Sequence, residues 1–353
     1  MKKKHICIIV PSPKVRGGIA TVVDGYYGSK LEEDYKVTYI ESYTDKNKLF
    51  KLLKGIKAWI DFAYLIRKDK PDLVHIHSSF GPSFYRKMPI INMAYKHNIA
   101  IVNHIHGSAI DEFYFKASDK KKNLVRKVYG KCDIIITLAK KWQEDILKIV
   151  PDKKVLVVPN YTELKEKVPA TESLYSHTIL FFGVITKEKG CYIIPEVMKR
   201  VIEVDDKASC IICGEGDIDI IKDFASKLGI LDRIEFPGWV RGDKKDEIFR
   251  RGRILFLPSH MEAMPMTILE GMSYGLPIVS TNVGGIPSIV ENGENGILCD
   301  IDDVRSMSDA IIHYLTDSAD WKKVSKANLK KVKDEYTLEK HIKRVEAIYS
   351  ELI

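Results

Sequence analysis

Long apolar runs are missing from this chain of 353 residues. None free of charge reaches the roughly 18 residues that a membrane-spanning helix requires, so no span is expected. The start, MKKKHICIIVPSP, has a basic tip but only five apolar residues before Pro11. That core is too short for a secretory signal and reads instead as a first β-strand. Cysteine is sparse: six residues, of which only Cys210 and Cys213 form a CxxC. Both fall in ASCIICGEG, where residues three apart on a strand face opposite ways and cannot easily pair. Core thiols in a reducing cytoplasm are expected, not a redox or metal centre. The GxGxxG and Walker A patterns are absent, which excludes a dinucleotide fingerprint and a P-loop. No helix-turn-helix, zinc-finger or aromatic RNA-binding signature is present either, so no nucleic-acid partner is expected.

What is present is charge, unevenly placed. Residues 1–170 hold 32 Lys/Arg against 18 Asp/Glu, and the remainder 24 against 30, so the first half is basic and the second mildly acidic. A basic half asks for an anionic partner: nucleic acid, a phosphorylated metabolite or an anionic membrane.

Apolar strands alternate with amphipathic stretches throughout. HICIIV, KVTYIES, DLVHIHS, AIVNHIHG, CDIIITLA and KVLVVPN read as buried strands of the first half. HTILFFG, ASCIICGEG, IEFPGWV, RILFLPS, PIVSTNV and NGILCD repeat the pattern in the second. Such alternation predicts parallel sheets covered on both faces. ELKEKVPATESLYSH, residues 163–177 with Pro169, reads as a linker. The fold class expected is α/β, with two αβα domains of equal size and a cleft where the carboxyl ends of their sheets face each other.

Several residues stand where chemistry would be placed. Gly17 and Gly18 lie between the first strand and a helix, where their amides can approach a phosphate. His75, His77, His104 and His106 close two strands, but no Asp, Glu or Cys recurs at zinc spacing, so no metal is expected. His106, beside Gly107, is the better candidate, since a neutral imidazole can donate to a sugar hydroxyl. Gly183 ends a strand, and Lys189 with Gly190 precedes a helix, where a lysine can reach a diphosphate as a point charge. In PSHMEAMPMTILEGMSYG, Glu262 falls in a loop and Glu270 inside a helix, with Pro265 suited to that helix's first turn. Amides near Met266 and Thr267 are then free for phosphate, and carboxylates accept well from vicinal hydroxyls.

Together these residues are familiar. The GG loop, the HG element, the strand–Gly…Lys–Gly segment, EAMPMTILE as an E-x7-E, and GLPIVSTNVGGIPSIVENGENGIL resemble the GT-B-fold retaining, nucleotide-sugar-dependent glycosyltransferases of family 4. The resemblance covers nearly the whole chain. It implies two Rossmann-like domains: an acceptor-binding one over 1–168, a nucleotide-sugar-binding one over 169–335, and a last helix over 336–353 crossing back to the first. It implies that Glu262 contacts donor-sugar hydroxyls and Glu270 the ribose diol. Lys189 would neutralise the diphosphate, helped by Gly18 and the amides around Met266 and Thr267, with His106 beside the transferred sugar. No metal is implied, because side chains and helix ends do a cation's work.

Three positions depart from the family pattern. Val184 stands where an arginine usually supplies a second diphosphate-binding charge, so either Lys189 carries the load alone or Arg250 or Arg251 substitutes. Ala263 replaces a glycine and Ser288 a glutamate. The expected reaction is transfer of a sugar, from a UDP-sugar in preference to a GDP-sugar, to a saccharide or lipid-linked glycan acceptor in polysaccharide biosynthesis. The rivals are a non-hydrolysing nucleotide-sugar epimerase and a non-catalytic sugar- or nucleic-acid-binding relative. Residues 46–70, with lysines at 46, 48, 51, 54 and 57 among Leu, Phe, Trp and Ile, read either as a helix docking on anionic lipid or as a core-packed helix. The location expected is cytoplasmic, at the inner face of the membrane.

Overall fold

The computed structural model describes residues 3–13, 15, 17–165 and 174–353. The chain divides into two compact units, Met1–Asn160 with Leu338–Ile353, and Tyr161–Thr337. The join expected at 168/169, with much of the linker around Pro169, lies outside the described residues.

All twelve strands read from the sequence are present. In the first unit they are β1 (His5–Val10), β2 (Lys36–Glu41), β3 (Leu73–Ser78), β4 (Ala100–Ile105), β5 (Ile134–Thr137) and β6 (Lys154–Val157). They form one parallel sheet in the order β2-β1-β3-β4-β5-β6. β1, β3 and β5 are buried along their whole length, whereas the edge strands β2 and β6 are partly exposed. That is why the inner strands read as continuous apolar runs: helices cover both faces and leave no side for water. The polar residues set into that buried interior include three imidazoles, His75, His77 and His104.

The helix Leu338–Leu352 belongs to this unit, although the second unit separates it from the rest. It buries His341, Ile342, Val345, Ile348 and Tyr349, one stripe at helical spacing. Tyr349 Oη lies 2.6 Å from His75 Nδ1, and Lys154 binds Glu351 at 2.6 Å.

The second unit repeats the architecture with β7 (Thr178–Phe182), β8 (Ser209–Cys213), β9 (Ile234–Gly238), β10 (Ile254–Leu257), β11 (Ile278–Thr281) and β12 (Gly296–Cys299). Their order is β12-β11-β10-β7-β8-β9, again all parallel. In each sheet the chain starts on an inner strand, builds to one side, then crosses to the other. The crossings place switch points between β1 and β3 and between β7 and β10, where open parallel sheets receive ligands at their carboxyl ends. All six cysteines are buried free thiols.

Candidate functional site

The switch point of the second sheet lies between the exits of β7 and β10. Beyond β7, the backbone amide of Ile185 donates to Glu215 O at 2.8 Å and that of Asp217 to Ile185 O at 2.8 Å, lacing this exit to the CGEG turn. The chain then turns through Gly190 in the left-handed region, φ 66°. A Cβ there would stand 1.8 Å from Pro258 O, so only glycine lets the loop bearing Lys189 lie against the end of β10.

Lys189 is thereby delivered to Glu262, with Nζ and Oε1 2.5 Å apart. Ser259 Oγ donates to the same oxygen at 2.9 Å, and Glu262 is 7% exposed. The amide of Gly285, in the VGG segment, donates to Glu262 O at 3.0 Å, which ties the motif's two halves together. Four residues beyond Met266, Glu270 lies on the helix Met266–Ser273 and takes Lys245 Nζ at 2.6 Å, while its buried Oε2 has no protein partner. Lys245 also lies 5.8 Å from the ring centres of both Phe182 and Phe249.

Several expectations are sharpened here. Pro265 occupies the capping position, φ −71° and ψ 122°, one residue before the first turn that its sequence position suggested. Its fixed φ serves extended backbone there as well as it serves a helix start. Among the described residues, the amides of Met266 and Thr267 donate to no protein acceptor, as the first amides of a helix must. Ala263 is not among the residues of positive φ, so alanine replaces the family's glycine without backbone strain. Val184 is 48% exposed. Arg251, offered as its substitute, is committed to Glu235 at 2.6 Å, and Arg250 is exposed. The second partly buried cation at this edge is Lys245, which sequence reasoning passed over as one of two adjacent lysines in a charged helix. A lysine one turn into Gly242–Arg251, preceding the buried Ile248 and Phe249, was the available signal.

Gly183 ends β7 as expected, its amide donating to Cys213 O at 3.0 Å. Gly17 and Gly18 open the short helix Gly18–Asp24 of the first unit. His106 follows β4, partly buried, and its Nε2 lies 2.9 Å from His77 Nδ1. Gly107 permits that arrangement, since a Cβ there would meet Ser79 Oγ at 2.5 Å.

His106 is one ring of a cluster. His104 stacks on it at 4.2 Å, and His75, His77 and His341 complete the group. His341 Nδ1 donates to Pro159 O at 2.8 Å, leaving its Nε2 to accept from Tyr26 Oη at 2.8 Å. Burial, then the neighbouring rings, holds His75 and His106 down to about 3. His77 and His104 are lowered well below 6.5 for the same reasons. These imidazoles are neutral at pH 7 and act as neutral hydrogen-bonding groups. Ring nitrogens of His75, His77 and His104 lie within 4.8 Å of one another, the group among the described residues that could gather on a metal ion.

Two doubly wound parallel sheets in one chain, one of them with cations, carboxylates and free helix amides at its switch point, are the build of the GT-B class of nucleotide-sugar enzymes. Residues 17–166 match the family described as Glycosyltransferase Family 4, and residues 164–331 that described as Glycosyl transferases group 1. The chain belongs to these glycosyltransferases and transfers a sugar from a nucleoside diphosphate sugar to an acceptor. It is 26% identical to an Escherichia coli UDP-Gal:alpha-D-GlcNAc-diphosphoundecaprenol alpha-1,3-galactosyltransferase, over 86% of this chain and 81% of that protein. It is 24% identical to the N-acetyl-alpha-D-glucosaminyl L-malate synthase of Bacillus anthracis, over 82% of this chain and 77% of that one. The fold matches a sucrose-phosphate synthase of Thermosynechococcus elongatus with a TM-score of 0.82 at 16% identity, covering 99% of both chains. Anabaena HepE in complex with UDP-glucose gives 0.75 at 16% identity, covering 98% of this chain and 99% of that one.

Proposed function

We propose that this glycosyltransferase takes a UDP-sugar and transfers its sugar, with retention, to a hydroxyl of a lipid-linked saccharide at the anionic inner face of a membrane. The observation that carries the donor side is the coupling of Lys189 to Glu262 and of Lys245 to Glu270 at one sheet edge. A donor diphosphate competes for both lysines. As Lys189 turns to the phosphates, Glu262 is released to accept from sugar hydroxyls, and Glu270 likewise from the ribose diol. The free amides of Met266 and Thr267 add positive potential where the leaving group gathers charge.

The reaction then balances simply. The bond from the anomeric carbon to the diphosphate oxygen breaks and its electron pair stays on the leaving nucleoside diphosphate. The acceptor oxygen bonds to that carbon on the same face, and its proton passes to the departing phosphate oxygen. Such a course needs no second carboxylate near the sugar. His106, neutral, is a hydrogen-bonding group rather than a general acid.

A uridine donor and a lipid-linked acceptor are supported by the Escherichia coli relative, whose name carries both. Membrane docking is supported by the helix Lys48–Asp69. It buries Gly55, Ala58, Phe62 and Ile66, with Trp59 and Leu65 partly buried against the core, while Leu49 at 62%, Leu52 at 56%, and Phe50 and Leu53 stand exposed among its lysines. An apolar patch ringed by lysine is the composition of an interfacial helix.

Calorimetric titration with UDP, GDP and ADP, without metal, tests the donor. Selective micromolar binding of UDP is expected, and equal or undetectable binding of all three sinks the reading.

A further inference from the structure

A concave feature lies within the first unit, lined in part by Gly17 and Gly18. A cavity of about 450 Å³ opens at the switch point between β1 and β3, from Pro11 at the exit of one to Ser79 at the exit of the other. Its polar lining includes Ser42, Lys51, Ser79, Ser83, Arg86 and Lys87, and among the described residues no acidic one lines it.

Lys87 is the telling residue. It lies on the helix Pro82–Lys96, is 3% exposed, and gives its one hydrogen bond among the described residues to Ser42 Oγ. An ammonium so deeply buried, with a hydroxyl and no carboxylate for company, is unfavourable unless an anion joins it. Burial, then the neighbouring Arg86, pushes Lys87 down to about 7. Arg86 is half-buried, and its Nε has no partner. Its guanidinium lies 4.8 Å from the ring centre of Tyr43, and Lys51 Nζ 5.5 Å from the same ring. Among the described residues, the three basic groups are thus held by an aromatic face and a hydroxyl rather than by a carboxylate. Pro82 and Ser83, in the first turn of the same helix, also line the cavity, so its positive end adds to the field.

We propose that this cavity seats a phosphate or diphosphate group borne by the acceptor, with Lys87 and Arg86 as its principal ligands and Lys51 at its rim. The inference rests on the reading above that the first unit receives the acceptor, and it narrows the acceptor to an anionic one. Its chemistry is shared by a prenyl diphosphate headgroup and a soluble phosphate ester. The exposed apolar turn Leu49–Leu53, which includes Lys51, is where a lipid chain leaving the cavity finds apolar surface.

The test uses the full chain saturated with UDP, so that the donor site is filled. N-acetylglucosamine 1-phosphate, its neutral methyl glycoside, inorganic pyrophosphate and farnesyl diphosphate are titrated separately by calorimetry. The expected result is that N-acetylglucosamine 1-phosphate binds at least tenfold tighter than the methyl glycoside. Lys87→Met and Arg86→Gln should each weaken the phosphate ligands about tenfold while leaving UDP affinity unchanged. Farnesyl diphosphate binding tenfold tighter than pyrophosphate assigns a lipid headgroup, and equal affinities assign a soluble ester. Equal affinity of the neutral glycoside and the phosphate in the unsubstituted protein overturns the proposal, whatever the variants do. So does full phosphate affinity in both variants. Failure of UDP itself to bind strikes at the donor reading instead, so the two can fail separately.

Discussion

Lys189 and Glu262 stand 73 residues apart in the chain and 2.5 Å apart in the fold, the first delivered by the exit of β7 and the second by that of β10. The carboxylate is 7% exposed, and Ser259 Oγ donates to the same oxygen, so Glu262 keeps a protein donor when Lys189 turns to a ligand.

Replacing Lys189 with Met removes the diphosphate's point charge and leaves that carboxylate less compensated. The turnover of Lys189→Met should fall by about 100- to 1000-fold, the scale of losing one preorganised charge stabiliser. Steady-state kinetics with a radiolabelled donor sugar checks it, and unaltered turnover would refute the assignment of the site.

Glu270 and Lys245 should govern nucleotide affinity, not the chemical step. Glu270→Ala is expected to raise the donor KM about tenfold and to abolish the preference for UDP over 2′-deoxy-UDP. A preference that survives the substitution removes Glu270 from the ribose.

Gly190 fixes the loop that carries Lys189. Gly190→Ala places a methyl group within 1.8 Å of Pro258 O at φ 66°, so the loop must move. Backbone strain of this kind costs about 1–3 kcal/mol. A lower melting temperature together with lost activity is expected; an unchanged melting temperature contradicts the geometry.

The histidine cluster makes the fold acid-sensitive. His75 and His106 are held at about 3 and His341 at about 4, with burial first among the causes, and His77 and His104 are also lowered. Below the ordinary value of about 6.5 the unfolded chain takes up protons that the folded chain refuses. Stability present above pH 6.5 is therefore lost as pH falls towards 4, by up to about 1.4 kcal/mol per pH unit for each histidine. Urea denaturation at pH 7.5, 6.5 and 5.5 should show this decline, and His104→Leu should make it shallower.

The helix Lys48–Asp69 should hold the protein on anionic vesicles at low salt and release it as salt rises, because exposed charges are screened. Leu49→Asp with Leu52→Asp should abolish cosedimentation without altering UDP binding. Absence of binding by the unsubstituted protein at low salt rules the docking out.

The twelve strands were legible because parallel strands buried on both faces must be written in Ile, Val, Leu and Phe, and short buried runs survive reading one residue at a time. The same holds for Glu262, Glu270, Lys189 and Gly190, whose spacing around a strand end and a helix start is local. Legibility stops where the partner is distant. Nothing within ten residues of Lys245 marks Glu270 as its contact, and so the missing charge at Val184 was sought at Arg250 and Arg251 instead. The five-histidine cluster was visible only as two HxH pairs. Its fifth member, His341, arrives on a helix from the far end of the chain.

The sequence by itself determined the elements, their alternation, the class of sheet and the glycine-bounded loops that carry the chemistry. These depend on periodicity and on backbone freedom, both set by neighbours in the chain. Only the tertiary structure decided which charges meet, which imidazoles lose their protons and which lysine is buried without a carboxylate. Coulombic energy and desolvation depend on distances through space, and the fold brings Lys87 to Ser42, Tyr349 to His75 and Lys189 to Glu262 across 45, 274 and 73 residues of chain.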